Sequence, residues 1–171
     1  MNNGISFKPI IDNLEEYTEN DSIHKYGDVF DLANCFLSIE SMTHKKLQKM
    51  CYYAKAWYLA INDYNIIEEP FEAWVHGAVQ PELYQKYRGY GFQMIPMYCE
   101  MDKTLPEEFV SFSKEVYKAY GDLSGDELEK LNHQEMPWKN ARGNLKPWES
   151  CNKVISENDM KEYYRSLMEG E

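Results

Sequence analysis

The sequence predicts a mainly α-helical fold, a compact single-domain bundle with one small β-hairpin at either 66–80 or 92–100. Apolar residues recur at helical spacing in several segments, which are separated by helix-capping and helix-ending residues. The 171 residues are 43% hydrophobic and 15% aromatic, enough to fill the core of one ordinary domain. The chain contains neither an internal repeat nor a linker between two equal halves, so one domain is expected.

Three parts are predicted along the chain. Residues 1–27 are polar and rich in Asn and Glu, and we expect a loosely held N-terminal extension. Residues 28–165 contain the helical periodicity and form the domain. Residues 166–171 form a short acidic C-terminal tail.

Two helices are predicted at the start of the domain. Residues 28–41 carry apolar side chains at close to helical spacing: Val29, Leu32, Ala33, Phe36, Leu37 and Ile39. Thr43 caps a second helix, and Met42 can pack on Leu47 as a hydrophobic staple. One apolar stripe follows along this helix, formed by Leu47, Met50, Cys51, Ala54, Trp57, Tyr58 and Ile61. The helix should end near residues 62–63.

The middle of the chain contains shorter elements. Residues 71–79 can form a short strand or a turn-rich link that is broken at Gly77. Pro81 suits the first turn of a short helix that ends at Gly89 or Gly91. Residues 91–99 are expected to be extended or a loop, because Pro96 argues against a central strand.

Three more helices are predicted in the second half. Residues 104–107 read as a capping box that starts a helix, and Gly121 ends it. Residues 124–127 form a second capping box, and the helix that follows stops before Pro137. Residues 137–150 contain Pro, Gly, Asn and two Trp, which predicts an ordered loop. The last helix opens between residues 156 and 159.

The charge of the chain excludes several function classes. The formal net charge is −11, which argues against extended contact with duplex DNA and against adsorption to anionic lipid. Two basic islands interrupt this acidity, residues 41–62 at net +4 and residues 132–148 at net +2. They either pair with acidic neighbours or form an anion or partner site. No apolar run is long enough to span a membrane, and the N-terminus lacks the features of a signal peptide.

No motif points to a cofactor or a metal. The four cysteines are far apart in sequence, which is typical of free thiols in a reducing cytoplasm. His133 and Glu135 resemble the start of the zinc-deaminase motif, but the PCxxC that must accompany it is missing. The chain has no HExxH, GxxxxGK[ST] or GxGxxG. We therefore expect no catalytic residue, no metal and no cofactor.

The aromatic residues leave two interpretations open. Tyr52, Tyr53, Tyr90 and Trp148 lie off the apolar stripes or in predicted loops, so they can be surplus side chains for a protein interface. The region 133–148 combines Trp with basic side chains, which allows stacking of a base or a nucleotide. Structural packing is the competing interpretation of the same residues.

Three segments together resemble a known family. They are THKKLQKMCYYAKAW at 43–57, EAWVHGAVQPELY at 72–84 and HQEMPWKNAR at 133–142. In this order and spacing they are similar to the Panacea domain, the SocA-like antitoxin family (DUF4065) that also includes phage-associated GepA-like proteins. Two positions depart from the family pattern, since relatives usually have Pro at the position of Ala78 and Thr at the position of Asn132. The first departure removes a rigid turn residue, and the second removes a possible cap.

The resemblance implies a binding protein rather than an enzyme. It implies a cytoplasmic antitoxin that neutralises a cognate toxin by direct contact, with its gene beside the toxin gene, often in a phage or prophage. One branch of the family hands its toxin to a cytosolic protease. The motif positions carried over as a partner or ligand groove are Lys49, Trp57, Trp74, Gly77, Pro81, Tyr84, His133, Glu135, Pro137, Trp138 and Arg142. Toxin specificity is expected on the N-terminal extension and the loop at 91–103.

Two other functions remain open from the sequence. One is a phage-encoded inhibitor of a host defence protein, which the genomic neighbours would distinguish from an antitoxin. The other is a small-ligand or nucleotide-binding enzyme centred on 133–148, which a thermal-shift screen would test.

Overall fold

The fold is described from a computed structural model, in which residues 27–170 are placed. Within this range the chain forms seven α-helices and two antiparallel two-stranded sheets, which confirms the mainly α prediction. The helices are α1 (Val29–Leu37), α2 (His44–Asn62), α3 (Pro81–Tyr87), α4 (Glu107–Tyr120), α5 (Gly125–Gln134), α6 (Met136–Arg142) and α7 (Glu157–Glu169). The strands are β1 (Met42–Thr43), β2 (Glu72–Trp74), β3 (Gly77–Val79) and β4 (Met94–Ile95). The expected N-terminal extension, 1–27, lies almost wholly outside the described residues.

Helix α2 is the centre of the molecule. Thr43 caps it as predicted, with its hydroxyl oxygen accepting from the backbone N–H of Lys46 at 3.3 Å. Every residue from 47 to 60 is buried, including Gln48 and Lys49. The prediction of a single apolar stripe was therefore incomplete, because neighbouring elements cover α2 on all sides.

Aromatic rings fill much of the core around α2. The Tyr53 and Tyr120 rings are stacked, with their centroids 4.2 Å apart. Trp57 lies 5.2 Å from the ring of Tyr164, which joins α7 to the core. Tyr52 is also fully buried. The interpretation of Tyr52 and Tyr53 as surplus interface residues was therefore wrong, whereas Tyr90 and Trp148 are exposed, as the interface interpretation requires.

Both small sheets bring distant segments together. Strands β2 and β3 form a hairpin at the first of the two predicted places, with Ala73 opposite Ala78. Strand β4 pairs with β1, so that Met42 lies opposite Ile95. The second predicted place, 92–100, therefore contributes one strand to a non-local pair.

The predicted start of α4 within 104–107 is confirmed, but its predicted capping box and the predicted loop at 137–150 were wrong. Helix α4 begins at Glu107 after Pro106, and no side chain caps it, because the amide and hydroxyl of Thr104 bond to Asp102 instead. The predicted loop at 137–150 begins as helix α6, in which Pro137 occupies the first turn. Proline fits this position because its missing N–H would have no helical partner there. The capping box of α5, by contrast, is confirmed, with both Ser124 and Glu127 bonded.

Candidate functional site: the clamp around the β2–β3 hairpin

The three sequence segments that carry the resemblance converge on the β2–β3 hairpin. Five side chains from α2, α5 and α6 bond to its main chain or to the residue that follows it. We call this set the hairpin clamp: Gln48, Lys49, Asn132, Trp138 and Arg142. An isolated two-stranded hairpin is only marginally stable in water, so these contacts fix its position.

Helix α2 supplies two members of the clamp. Gln48 donates to the carbonyl of Gln80 at 3.0 Å and accepts from the Gln80 N–H at 2.8 Å. The Lys49 ammonium nitrogen donates to the carbonyl of Ala78 at 3.0 Å. Burial lowers the pKa of Lys49 to about 7, because the charged form is poorly solvated in the interior.

Gly77 lies against this part of the clamp. Its φ is +94°, a conformation that side chains with a Cβ rarely adopt. A Cβ at this position would lie 2.6 Å from Cε of Lys49 and 2.8 Å from Oδ1 of Asn132. Both the backbone conformation and the close approach of the clamp therefore favour glycine.

Asn132 joins the hairpin to a buried carboxylate. Its Oδ1 accepts from the N–H of Ala78 at 2.7 Å, and its Nδ2 donates to Oε2 of Glu135 at 3.2 Å. Ala78 and Asn132, the two positions at which a departure from the family pattern is expected, thus contact each other. A proline at 78 would have no N–H to donate, so the two residues fit as a pair.

Glu135 lies between α5, α2 and α7. It accepts hydrogen bonds from the hydroxyls of Tyr164 at 2.7 Å and Tyr53 at 3.2 Å, in addition to Asn132. Complete burial raises the pKa of this carboxyl to about 7, against the opposite effect of its three donors. No sequence signal identified Tyr164 as a partner, because α7 lies outside the three motif segments.

Helix α6 supplies the last two members of the clamp. The indole N–H of Trp138 donates to the carbonyl of Trp74 at 2.9 Å. The Arg142 guanidinium donates to Ala73 O at 2.9 Å and to the carbonyls of Lys146, Pro147 and Glu149. It is 3% exposed and also lies over the Trp138 ring. These contacts give Arg142 and Trp138 a structural role that needs no bound nucleotide.

The remaining motif positions lie beside the clamp. His133 stacks on Trp138 with the ring centroids 4.3 Å apart, and burial lowers its pKa. Tyr84, one turn after Pro81, contacts the ring of Trp74 at 5.0 Å. Trp57 lies apart from the hairpin, where its indole N–H donates to the hydroxyl of Tyr120 at 2.7 Å.

A cleft of about 460 Å³ opens beside the hairpin turn. Trp74, Val75 and His76 line one side of it, and residues 150–152 line the other. His76 is paired with Glu129, with 3.0 Å between Nδ1 and Oε1. Among residues 27–170, no group of His, Cys, Asp or Glu side chains is arranged to hold a metal ion.

The comparison with protein-family models is decisive for the family. The model described as antitoxin SocA-like, Panacea domain, matches residues 47–139, which is more than half of the chain. The chain belongs to the SocA-like Panacea family. The matched range of this Panacea domain runs from α2 into α6 and contains the hairpin and four of the five clamp residues. Arg142 follows shortly after it.

Family membership gives the protein an antitoxin-type role and favours a binding protein over an enzyme. No curated protein and no solved structure matches the chain. The Panacea domain also has, within its described residues, no helix that is long and apolar enough to cross a membrane.

Proposed function

We propose that this protein is an antitoxin that neutralises a cognate toxin by direct protein–protein binding in the cytoplasm. Membership of the SocA-like Panacea family is the observation that carries the proposal. The buried polar side chains around the hairpin support it, because they bond to the protein's own main chain and leave the outer surface for recognition. The matching toxin gene is expected beside the gene of this protein, in a phage or prophage.

The charge of the chain suits this role. A net charge of −11 attracts a basic partner over a longer range than direct contact, and so raises the rate of encounter. A toxin that acts on nucleic acid or on a membrane needs a basic surface for its own target. Covering that surface would prevent both kinds of toxic action.

Co-expression with the product of the adjacent gene tests the proposal. That product alone should arrest growth, and the antitoxin should restore it. The two purified proteins should then form a complex whose affinity falls as the salt concentration rises. Unchanged growth arrest during verified co-expression would contradict the proposal for that partner.

We further propose that neutralisation proceeds by one of the two routes that occur in the family, blocking the toxin or passing it to a cytosolic protease. The half-life of the toxin in cells separates the routes. Delivery to a protease shortens the half-life when the antitoxin is present, and deletion of the protease restores it. Simple blocking leaves the half-life unchanged or extends it.

A further inference from the structure

An exposed apolar segment follows helix α3 and contains no residue of the hairpin clamp. Four large apolar side chains within eight residues are exposed, and we call them the 90–97 patch: Tyr90, Phe92, Met94 and Met97. Phe92 is 100% exposed, Met94 58% and Met97 50%. Single exposed apolar residues are common on proteins, but a cluster of aromatic and Met side chains is typical of an interaction surface.

The backbone beneath this patch is anchored. Ile95 is buried between the exposed neighbours, and β4 pairs with β1 there. The Ser41 hydroxyl donates to the carbonyl of Ile95 at 2.6 Å, and the N–H of Tyr98 donates to the carbonyl of Leu37 at 3.0 Å. Met94 and Met97 are therefore presented from an anchored stretch of backbone, which lowers the conformational entropy that is lost when a partner binds them.

Exposed charges of opposite sign flank the patch on its two sides. Residues 98–107 expose three carboxylates, from Glu100, Asp102 and Glu107, against one ammonium from Lys103. Lys86 and Arg88 are exposed on the other side of the patch, so the carboxylates lie on one side only. On its 98–107 side, and through the net charge of −11 of the whole chain, this apolar surface is complementary to a basic protein with an apolar contact region.

Resting on the proposed function, we propose that the 90–97 patch is the surface that docks the toxin, and that the toxin is a basic protein that buries Phe92, Met94 and Met97. A second copy of this chain is a poorer occupant. A symmetric dimer through this face would bring together two chains that each carry a net charge of −11.

The test compares two sets of exposed apolar residues. The patch variant carries Phe92→Ser, Met94→Gln and Met97→Gln. The control variant carries Leu145→Gln and Val154→Gln, at residues that are 37% and 55% exposed outside the patch. Because all five side chains are exposed, both variants should keep the thermal stability of the wild type.

The expected result is a selective loss of toxin binding. The patch variant should fail to rescue growth from the adjacent gene product and should bind the purified toxin at least roughly 30-fold more weakly, the effect of one lost hot-spot residue. The control variant should rescue growth as the wild type does. Glu100→Lys should slow association several-fold and leave dissociation nearly unchanged.

Other results would separate this inference from the proposed function. If the wild type rescues growth and the patch variant also does, the docking surface is wrong while the antitoxin role stands. A wild-type dimer that the patch substitutions convert to a monomer, with rescue unchanged, would assign the patch to a second copy. If the wild type itself fails to rescue growth, both proposals fall.

Discussion

Replacing Gly77 by alanine tests the clamp most directly, because the structure separates two costs. The first is backbone strain at φ +94°, which costs about 1–3 kcal/mol for a residue with a Cβ. The second is the contact of the new methyl group with Lys49 and Asn132, at 2.6 and 2.8 Å. Such overpacking costs a further 1–3 kcal/mol or so, because both side chains are buried and hydrogen-bonded. We expect Gly77→Ala to lower the free energy of unfolding by about 4 kcal/mol.

Two other glycines supply matched controls. Gly143 also has a positive φ, +58°, but a Cβ there meets nothing within 4 Å, so Gly143→Ala should cost only the strain of about 1–3 kcal/mol. Gly89 has neither feature, and its substitution should change stability by less than about 0.5 kcal/mol. The difference between Gly77→Ala and Gly143→Ala then measures the cost of displacing the clamp.

Urea unfolding followed by circular dichroism measures these differences, provided that the slope of the transition is the same for all three variants. Thermal unfolding should follow, with the midpoint falling about 2–4 °C for each kcal/mol in a chain of this size. Equal effects of Gly77→Ala and Gly143→Ala would refute the close contact with the clamp. Equal effects of Gly77→Ala and Gly89→Ala would refute the strained backbone as well.

Three further predictions concern the buried polar groups. Burial raises the pKa of Glu135 from 4.5 to about 7, so the native state binds the carboxyl proton more tightly than the unfolded state does. The free energy of unfolding should therefore fall by up to about 3 kcal/mol as the pH rises from 4.5 to 7. Glu135→Gln should remove this loss when urea unfolding at pH 5 and pH 7.5 is compared with the wild type, and an identical pH dependence in the variant would contradict the assignment. Arg142→Lys should lower the free energy of unfolding by about 3 kcal/mol, because lysine cannot make all the hydrogen bonds that Arg142 donates to main-chain carbonyls. Arg88→Lys is the control, since Arg88 is exposed and its substitution should be neutral. Equal effects of the two substitutions would count against the clamp role of Arg142. Ala78→Pro removes the N–H that donates to Oδ1 of Asn132, and it should lower the free energy of unfolding by about 1–3 kcal/mol. In a double-mutant cycle, the proline should cost less in the Asn132→Thr background than in the wild type. Strict additivity of the two substitutions would show that positions 78 and 132 are independent.

Local rules predicted most of the helices. The Thr43 and Ser124 caps and the end of α4 at Gly121 depend on groups only a few residues apart, so they are visible in the sequence. Helix α6 was missed because Pro137 was read as part of a loop. Trp138 and Arg142 lie one turn apart on α6, and both bond to the hairpin. These tertiary contacts stabilise the helix, and local sequence rules do not include them.

The sequence predicted several residues of the candidate site but not how their side chains are arranged. The motif segments named Lys49, Trp138 and Arg142, but gave no sign that all three bond to the main chain of one hairpin. Gln48 was missed because a polar residue inside a helix normally faces water. Because α2 is buried on all sides, Gln48 faces the hairpin instead of water. This burial depends on the positions of the other helices, which the sequence does not show.

The sequence by itself determined the helical class, most of the caps, the family and the acidic charge, because periodicity, capping and composition act over short distances. Only the tertiary structure decided which polar residues are buried, that Ala78 and Asn132 meet, and that the 90–97 patch stands on an anchored strand. These features depend on contacts between residues tens of positions apart, whose formation follows from how the helices pack around α2 rather than from any local pattern.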